Sequence, residues 1–300
     1  MLAEARDVPD WLLLSSYGSC MTTKLRLLII DDIPDAMRLK DIAGWNQTAE
    51  DLERFLLASP EGCFATESNG HVTGTVTTIT YEDKLAWLGM VLVDPQHRGK
   101  GLGKALLERA IEHLDSRGIG CMKLDATPFG KPLYEKLGFV SEYQIERWML
   151  KRQSHEKPAL KHDSVELEEV LELDRQVFGA DRSWLLRSIA EGDPDFVLTI
   201  RQGSGLAGYA FARRGSLADQ LGPWTARDKN AAAALLDEFL RRSTRHLLFV
   251  DCLCGNPWAV PLVKARGFEL SRPLTRMFRG TNNCVGRPEL LYAILGPEFG

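Results

Sequence analysis

Three hundred residues is about twice the length of a common domain, so two domains of roughly 150 residues are the first expectation. A composition of 44% hydrophobic and 26% charged residues is that of packed globular domains rather than disordered chain. The net charge of −4, without a long basic block, argues against nucleic acid as a partner. The six cysteines show no CxxC spacing and the six histidines no HExxH or HxH pattern. The expectation is therefore reduced thiols in a cytoplasmic protein and no catalytic metal. Cys252 and Cys254 lie two apart, where a strand would turn both to one face, and are read as core residues. No apolar run is long enough to cross a membrane, and no membrane partner is expected.

In chain order, residues 1–20 carry acids where a signal peptide needs bases, and their apolar run over 11–14 is too short for one. Residues 1–21 are expected to be an extension without fixed structure, with Met21 an alternative start. Residues 36–57 have apolar positions at helical spacing, interrupted at Gly44 and Trp45. Strands over 63–67 and 71–80 flank Ser68-Asn69-Gly70, a hairpin signal. Strands over 85–93 and 122–126 enclose a helix over 102–116 whose apolar face is Leu107, Ala110, Ile111 and Leu114. Alternation of strand and helix predicts an α/β fold, more fully an α+β mixed sheet.

The pattern then repeats. Gly138-Phe139 precedes Arg147 as Gly267-Phe268 precedes Arg276, an offset of 129 (267 less 138), and Ala105-Leu106-Leu107 returns as Ala234-Leu235-Leu236 at the same offset. A second hairpin pattern, 196–201 and 206–212, stands upstream. Shared spacing across several elements indicates a tandem duplication. Domains are expected over 22–152 and 163–300, with a polar linker over 153–162. The apolar run 290–295 suits one further strand.

The most informative stretch is Val91-Leu92-Val93-Asp94-Pro95-Gln96-His97-Arg98-Gly99-Lys100-Gly101-Leu102-Gly103-Lys104-Ala105. A strand runs into a glycine-rich loop and the loop into a helix, which makes an anion site: glycines let backbone N–H groups approach closely, and the helix N-terminus adds oriented donors. The GxxxxGK[ST] and GxGxxG patterns are absent. What is present is Q-x-x-G-x-G, as Gln96, Gly99 and Gly101. Downstream, Tyr134 and Gly138-Phe139 make a Y-x-x-x-G-F pattern after the strand ending in Asp125-Ala126-Thr127.

These two stretches resemble the acetyl-CoA motifs of the GNAT superfamily of N-acetyltransferases, over 24–150 and more weakly over 163–280. The resemblance implies two tandem GNAT-like acyl-CoA N-acyltransferase folds and acetyl-CoA as co-substrate. It places the coenzyme on Val91, Leu92, Val93, Gln96, His97, Arg98, Gly99, Lys100, Gly101, Leu102, Gly103, Lys104 and Thr127, although family members often carry Asn where Thr127 stands. The reaction it implies is direct attack of a neutral amine on the acetyl thioester. The backbone amide of Val91 would serve the oxyanion, in a bulge that Gly89 permits, and Tyr134 the leaving thiolate; the plain alternative for Tyr134 is a core aromatic. A base is not evident. Glu82, Asp83 and Asp125 are acidic candidates, or a chain of waters could serve, Asp125 alternatively being structural, and Trp45 and Asn46 are candidates to line the acceptor pocket, Trp45 alternatively anchoring two helices.

In the second copy the matching stretch, Leu221 to Ala231, is expected to keep the loop's length without its glycines, with Val263 opposite Tyr134 and Asn256 opposite Thr127. The resemblance is thus to tandem GNAT proteins with a degenerate second domain. That domain is free to complete the acceptor pocket, to dimerise or to stabilise the first. The leading expectation is acetylation of a primary amine on a small molecule or amino-acid-like acceptor. The alternatives are a protein lysine or N-terminus as acceptor, or a non-catalytic acyl-CoA-binding module. A homodimer is left open.

Overall fold

The computed structural model describes residues 13–14, 23–153 and 166–300. The expected extension (apart from 13–14) and linker (apart from 153) lie outside them. The first half contains β1 (Leu13–Leu14), β2 (Thr23–Leu27), α1 (Ile33–Ile42), α2 (Ala49–Ala58), β3 (Phe64–Ser68), β4 (His71–Tyr81), β5 (Leu85–Val93), α3 (Leu102–Ser116), β6 (Cys121–Ala126), α4 (Lys131–Lys136) and β7 (Val140–Lys151). The second contains α5 (Leu167–Phe178), α6 (Ser183–Gly192), β8 (Val197–Gln202), β9 (Gly205–Arg214), β10 (Asp219–Ala226), α7 (Lys229–Arg242), β11 (Leu247–Leu253), α8 (Ala259–Lys264), β12 (Glu269–Gly280) and β13 (Leu291–Ala293).

Local chemistry accounts for the boundaries. Thr48 caps α2 by accepting the Asp51 amide, while the Asp51 side chain accepts the Thr48 amide. Asn69 and Gly70 both take left-handed backbone at the β3–β4 turn, the conformation that a two-residue hairpin loop requires. The α3 face predicted to be apolar is buried: Leu107, Ala110, Ile111 and Leu114 pack with Phe64, Val76 and Leu88 of the sheet. Burial of each leucine or isoleucine contributes about 1.5–3 kcal/mol.

Among the described residues all strands join one 13-stranded sheet, in the order β1-β2-β3-β4-β5-β6-β12-β7-β11-β13-β10-β9-β8. The two halves have exchanged their last strands. β12 of the second half lies antiparallel between β6 and β7, and β7 of the first half lies antiparallel to β11. The exchange is clasped by two related ion pairs between register partners. Arg276 opposes Asp125 and Arg147 opposes Asp251, each arginine bidentate on its aspartate with both side chains buried. These are the two arginines that carried the 129-residue repeat.

Each half also contains a wedge between two parallel strands that pair and then part. β5 pairs with β6 from Leu85 to Trp87, and β10 pairs with β11 from Asp219 to Leu221. In the second half β13 fills the wedge, with Ala293 opposite both Trp224 of β10 and Cys252 of β11. The strand expected from the 290–295 run therefore inserts between two strands of its own half. Cys252 is buried beside it, whereas Cys254 lies just past the end of β11 and is exposed, so the two thiols do not share a buried face. The wedge of the first half stays open.

Candidate active site

The open wedge leads into a cavity of about 630 Å³ lined by β5 from Leu88 onward, the glycine loop, Leu124, Asp125, α4 and parts of the second half. That volume is within the usual range for a small-molecule site. Among the described residues no cluster of His, Cys, Asp and Glu is arranged to hold a metal, and no helix is long and apolar enough to cross a membrane.

At one end is the anion cradle. Gly99 and Gly101 have φ of +77° and +80°, backbone that glycine adopts without strain, and a Cβ on either would meet no atom within 4 Å, only the open site. The amides from Gly99 to Lys104 have no acceptor among the described residues, and Gly101 caps α3 with no side chain of its own. A row of unpaired donors at a helix N-terminus suits a pyrophosphate. Asp94 holds the loop's entry, accepting from the Gln96 amide and from Arg38 at 2.7 Å, which lowers its pKa. Of the predicted coenzyme residues, Val91, Leu92, Val93, His97, Arg98, Gly99, Gly101, Leu102, Gly103, Lys104 and Thr127 line the cavity. Gln96 and Lys100 stand on the exposed outer side of the loop instead, and Lys104 is also paired with Glu108 at 2.7 Å.

Deeper in, β5 bulges. Thr75 faces Leu92 and Thr77 faces Gly89, so Met90 and Val91 drop out of the ladder. Met90 has φ of +49°, and Thr75 holds its carbonyl with a 2.7 Å bond. The bulge is thus carried by Met90 rather than by Gly89. Gly89 is required for another reason: a Cβ there would come within 2.9 Å of the Glu298 carbonyl, which crosses the strand at that point. Tyr134 of α4 lines the cavity with its hydroxyl unpartnered among the described residues, and burial raises the pKa of the phenol. Its ring lies so close that a Cβ on Gly130 would meet it at 2.9 Å. Thr127 accepts the Gly130 amide at 3.2 Å, fixing the start of α4.

The candidates for the acceptor side divide. Trp45 lines the cavity, between α1 and α2. Asn46 does not: its oxygen accepts the amides of Leu217 and Ala218 and its nitrogen donates to Ala218 and Gln220, so its amide joins the two halves. Glu82 is also elsewhere. It sits in the β4–β5 turn, accepting from Arg175 at 3.0 Å and from the Asp181 amide. Asp125 reaches the cavity wall, but its carboxylate is fully buried and taken by Arg276, which opposes the upward push of burial on its pKa. Its symmetric counterpart Asp251 does the same structural work.

Four residues that also line the cavity carried no site signal in the sequence: Gln47, Arg272, Pro297 and Glu298. The last two belong to segment 294–300, which leaves β13 and crosses into the first half. Phe299 stacks on Phe55 at 4.6 Å, Tyr81 donates to the Phe299 carbonyl and Trp87 to that of Pro297. Glu298 accepts from Gln47 at 2.7 Å and from Arg213, which also pairs with Asp51. Burial raises the Glu298 pKa, with Arg213 opposing. A turn signal at Gly296-Pro297 was readable; where the segment goes was not.

Among the described residues the second half lacks such a cradle. Its loop has not kept its length: β10 runs to Ala226 and α7 begins at Lys229. Asp228 caps α7, its carboxylate accepting the amides of Asn230 and Ala231, so an internal anion holds that helix N-terminus. Asn256, opposite Thr127, donates to the carbonyls of Glu289 and Leu291 beside the inserted strand. Main chain of this protein occupies the place that the open wedge offers in the first half.

Two family models match the chain, an acetyltransferase (GNAT) family over residues 30–139 and an acetyltransferase (GNAT) domain over residues 170–293. A holothin acyltransferase from a Pseudoalteromonas strain is 28% identical over 264 residues, covering 85% of this chain and 87% of that protein. An uncharacterized N-acetyltransferase of Methanocaldococcus jannaschii is 33% identical over 152 residues, 44% of this chain and 67% of that protein. The crystal structure of a putative acetyltransferase from Pyrococcus horikoshii superposes with a TM-score of 0.77 at 22% identity, over 95% of this chain and 98% of that one, and shares its fold. One cradle with free amides, one open wedge and a second copy closed by its own strand agree with these matches: the chain belongs to the GNAT family and is an acetyl-CoA-dependent N-acetyltransferase of tandem type with a degenerate second domain.

Proposed function

We propose that the protein acetylates a primary amine on a small molecule or amino-acid-like acceptor. The observation that carries this is a cavity of small-molecule size walled by both halves. Trp45 and Gln47 from the first half and Arg272, Leu274, Pro297 and Glu298 from the second line the same cavity, whose volume of about 630 Å³ suits a small molecule. A relative named as a holothin acyltransferase, similar over most of both chains, supports a low-mass acceptor.

When bound, acetyl-CoA supplies the thioester that the amine attacks, giving an N-acetyl amide and free CoA. The cradle from Gly99 to Lys104 fits its pyrophosphate. Val91 in the bulge offers its amide to the oxygen that becomes negative as the carbonyl is attacked. Tyr134, kept protonated by burial, gives its proton to the departing sulfur. The proton lost by the amine goes to Glu298. Asp125 is locked by Arg276, whereas each Glu298 oxygen keeps a free lone pair after its bond to Gln47 or Arg213.

Thiol release in the presence of acetyl-CoA tests this with a panel of free amines beside peptides bearing a lysine or a free N-terminus. Turnover of low-mass amines above the peptides is expected. Turnover of peptides alone would sink the proposal.

A further inference from the structure

The far end of the cavity contains polar groups without partners. Arg272 makes no hydrogen bond or ion pair among the described residues, and its Nε is buried. Asp251 and Glu298 favour the cation through space, but neither bonds to it. Its register partner Arg147 is a like charge, and Asp251 is taken by Arg147 through a bidentate pair. Glu298 is bound to Arg213 and Gln47. Burial and Arg147 lower the Arg272 pKa to about 10, so it is still a cation at neutral pH. An unpaired cation so placed is costly unless something supplies an anion.

The second group is an acceptor. Gln47 donates its Nε2 to Glu298, and this fixes the amide's orientation, because the reverse would set oxygen against carboxylate. Its Oε1 is left buried with no donor among the described residues. Gln47 Oε1 and the Glu298 carboxylate are therefore adjacent acceptors in the same chamber as a free guanidinium. Coenzyme phosphates do not answer Arg272. Their cradle is at the glycine loop, and the pantetheine and acetyl groups between carry no charge.

We infer that Arg272, Gln47 and Glu298 form a subsite for a zwitterion, so that the acceptor amine also carries a carboxylate. The inference rests on the reading of this chamber as the acceptor site for small amines. Arg272 takes the carboxylate in a charge-assisted pair, and the guanidinium fork suits it better than a lysine would. Gln47 Oε1 and Glu298 accept from the ammonium, which sheds one proton to solvent before attack, and Glu298 takes the second as the bond to carbon forms. Both unpaired groups are then satisfied by one ligand.

The test uses the full-length protein, acetyl-CoA and the common L-amino acids, each beside its own carboxamide, which keeps the amine and loses the negative charge. Wild type, Arg272→Met and Arg272→Lys are compared by kcat/KM, with acetyl-CoA affinity as the control for folding. For amino acids the Arg272→Met variant is expected to lose on the order of 100-fold, with partial recovery in Arg272→Lys. For carboxamides the wild type is already weaker by a similar factor, and the substitution changes little. Carboxamides turned over as well as the acids by the wild type would overturn the zwitterion subsite and leave the small-amine reading standing. Turnover of peptides, with no amino acid or carboxamide accepted, would overturn both.

Discussion

The exchange of last strands makes a quantitative demand on Asp125 and Arg276. Arg276 Nε and Nη2 meet the Asp125 oxygens at 2.9 and 2.8 Å with side-chain exposures of 4% and 0%, and the guanidinium also lies 4.4 Å from the Trp87 ring centre. Removing one member strands the other as a buried charge, which costs about 3–5 kcal/mol. Arg276→Met and Asp125→Leu are each expected to lose that much, and the double variant to recover most of it, since apolar replacement of a buried pair is often near neutral. Urea unfolding followed by tryptophan fluorescence reads this out, and the double-mutant cycle isolates the coupling. Because β12 and β7 sit in each other's halves, one transition is expected, not two. Single variants within about 1 kcal/mol of wild type, or costs that simply add, would show that the pair is not the clasp described.

Two further expectations concern chemistry. Tyr134→Phe removes a hydroxyl that bonds to no described residue, so melting temperature and acetyl-CoA affinity should hold while kcat falls about 100-fold or more; an unchanged kcat would remove Tyr134 from thiolate protonation. Glu298 must be ionised to take a proton, and burial raises its pKa. Activity is therefore lost as pH falls through a value above the roughly 4.3 of a free glutamate. That acidic limb of kcat/KM should vanish in Glu298→Gln along with most of the rate, and a limb that persists in the variant would assign it to another group.

Much of this architecture was legible because its signals are local. The strand over 85–93 and the helix over 102–116 were bounded by the pattern itself, and glycines in the loop announced a left-handed backbone with free amides. The repeat was visible through Gly-Phe and Arg at fixed spacing, although the purpose of its arginines was not. Arg147 and Arg276 recur because each clasps the opposite half, a contact between residues more than 100 positions apart. The same distance hid the fate of Asn46, which reaches Ala218. Glu82 was misplaced because a turn acid reads alike at either end of a sheet, and here the turn faces α5. The second copy's loop was judged by counted residues, but β10 extends through them. Arg272 and Glu298 carried no motif, and only the exchange of β12 and the path of segment 294–300 bring them to the first half.

The first half is expected to bind acetyl-CoA and the second, closed by its own β13, is not. Titration calorimetry of acetyl-CoA into the full-length protein, and into a Gly101→Trp variant, tests it most directly. A Cβ at Gly101 meets no protein atom within 4 Å, so the indole projects into the site, although the positive φ adds local strain there. One saturable site per chain is expected in the wild type and none in the folded variant. Two sites, or one that survives the substitution, would contradict it.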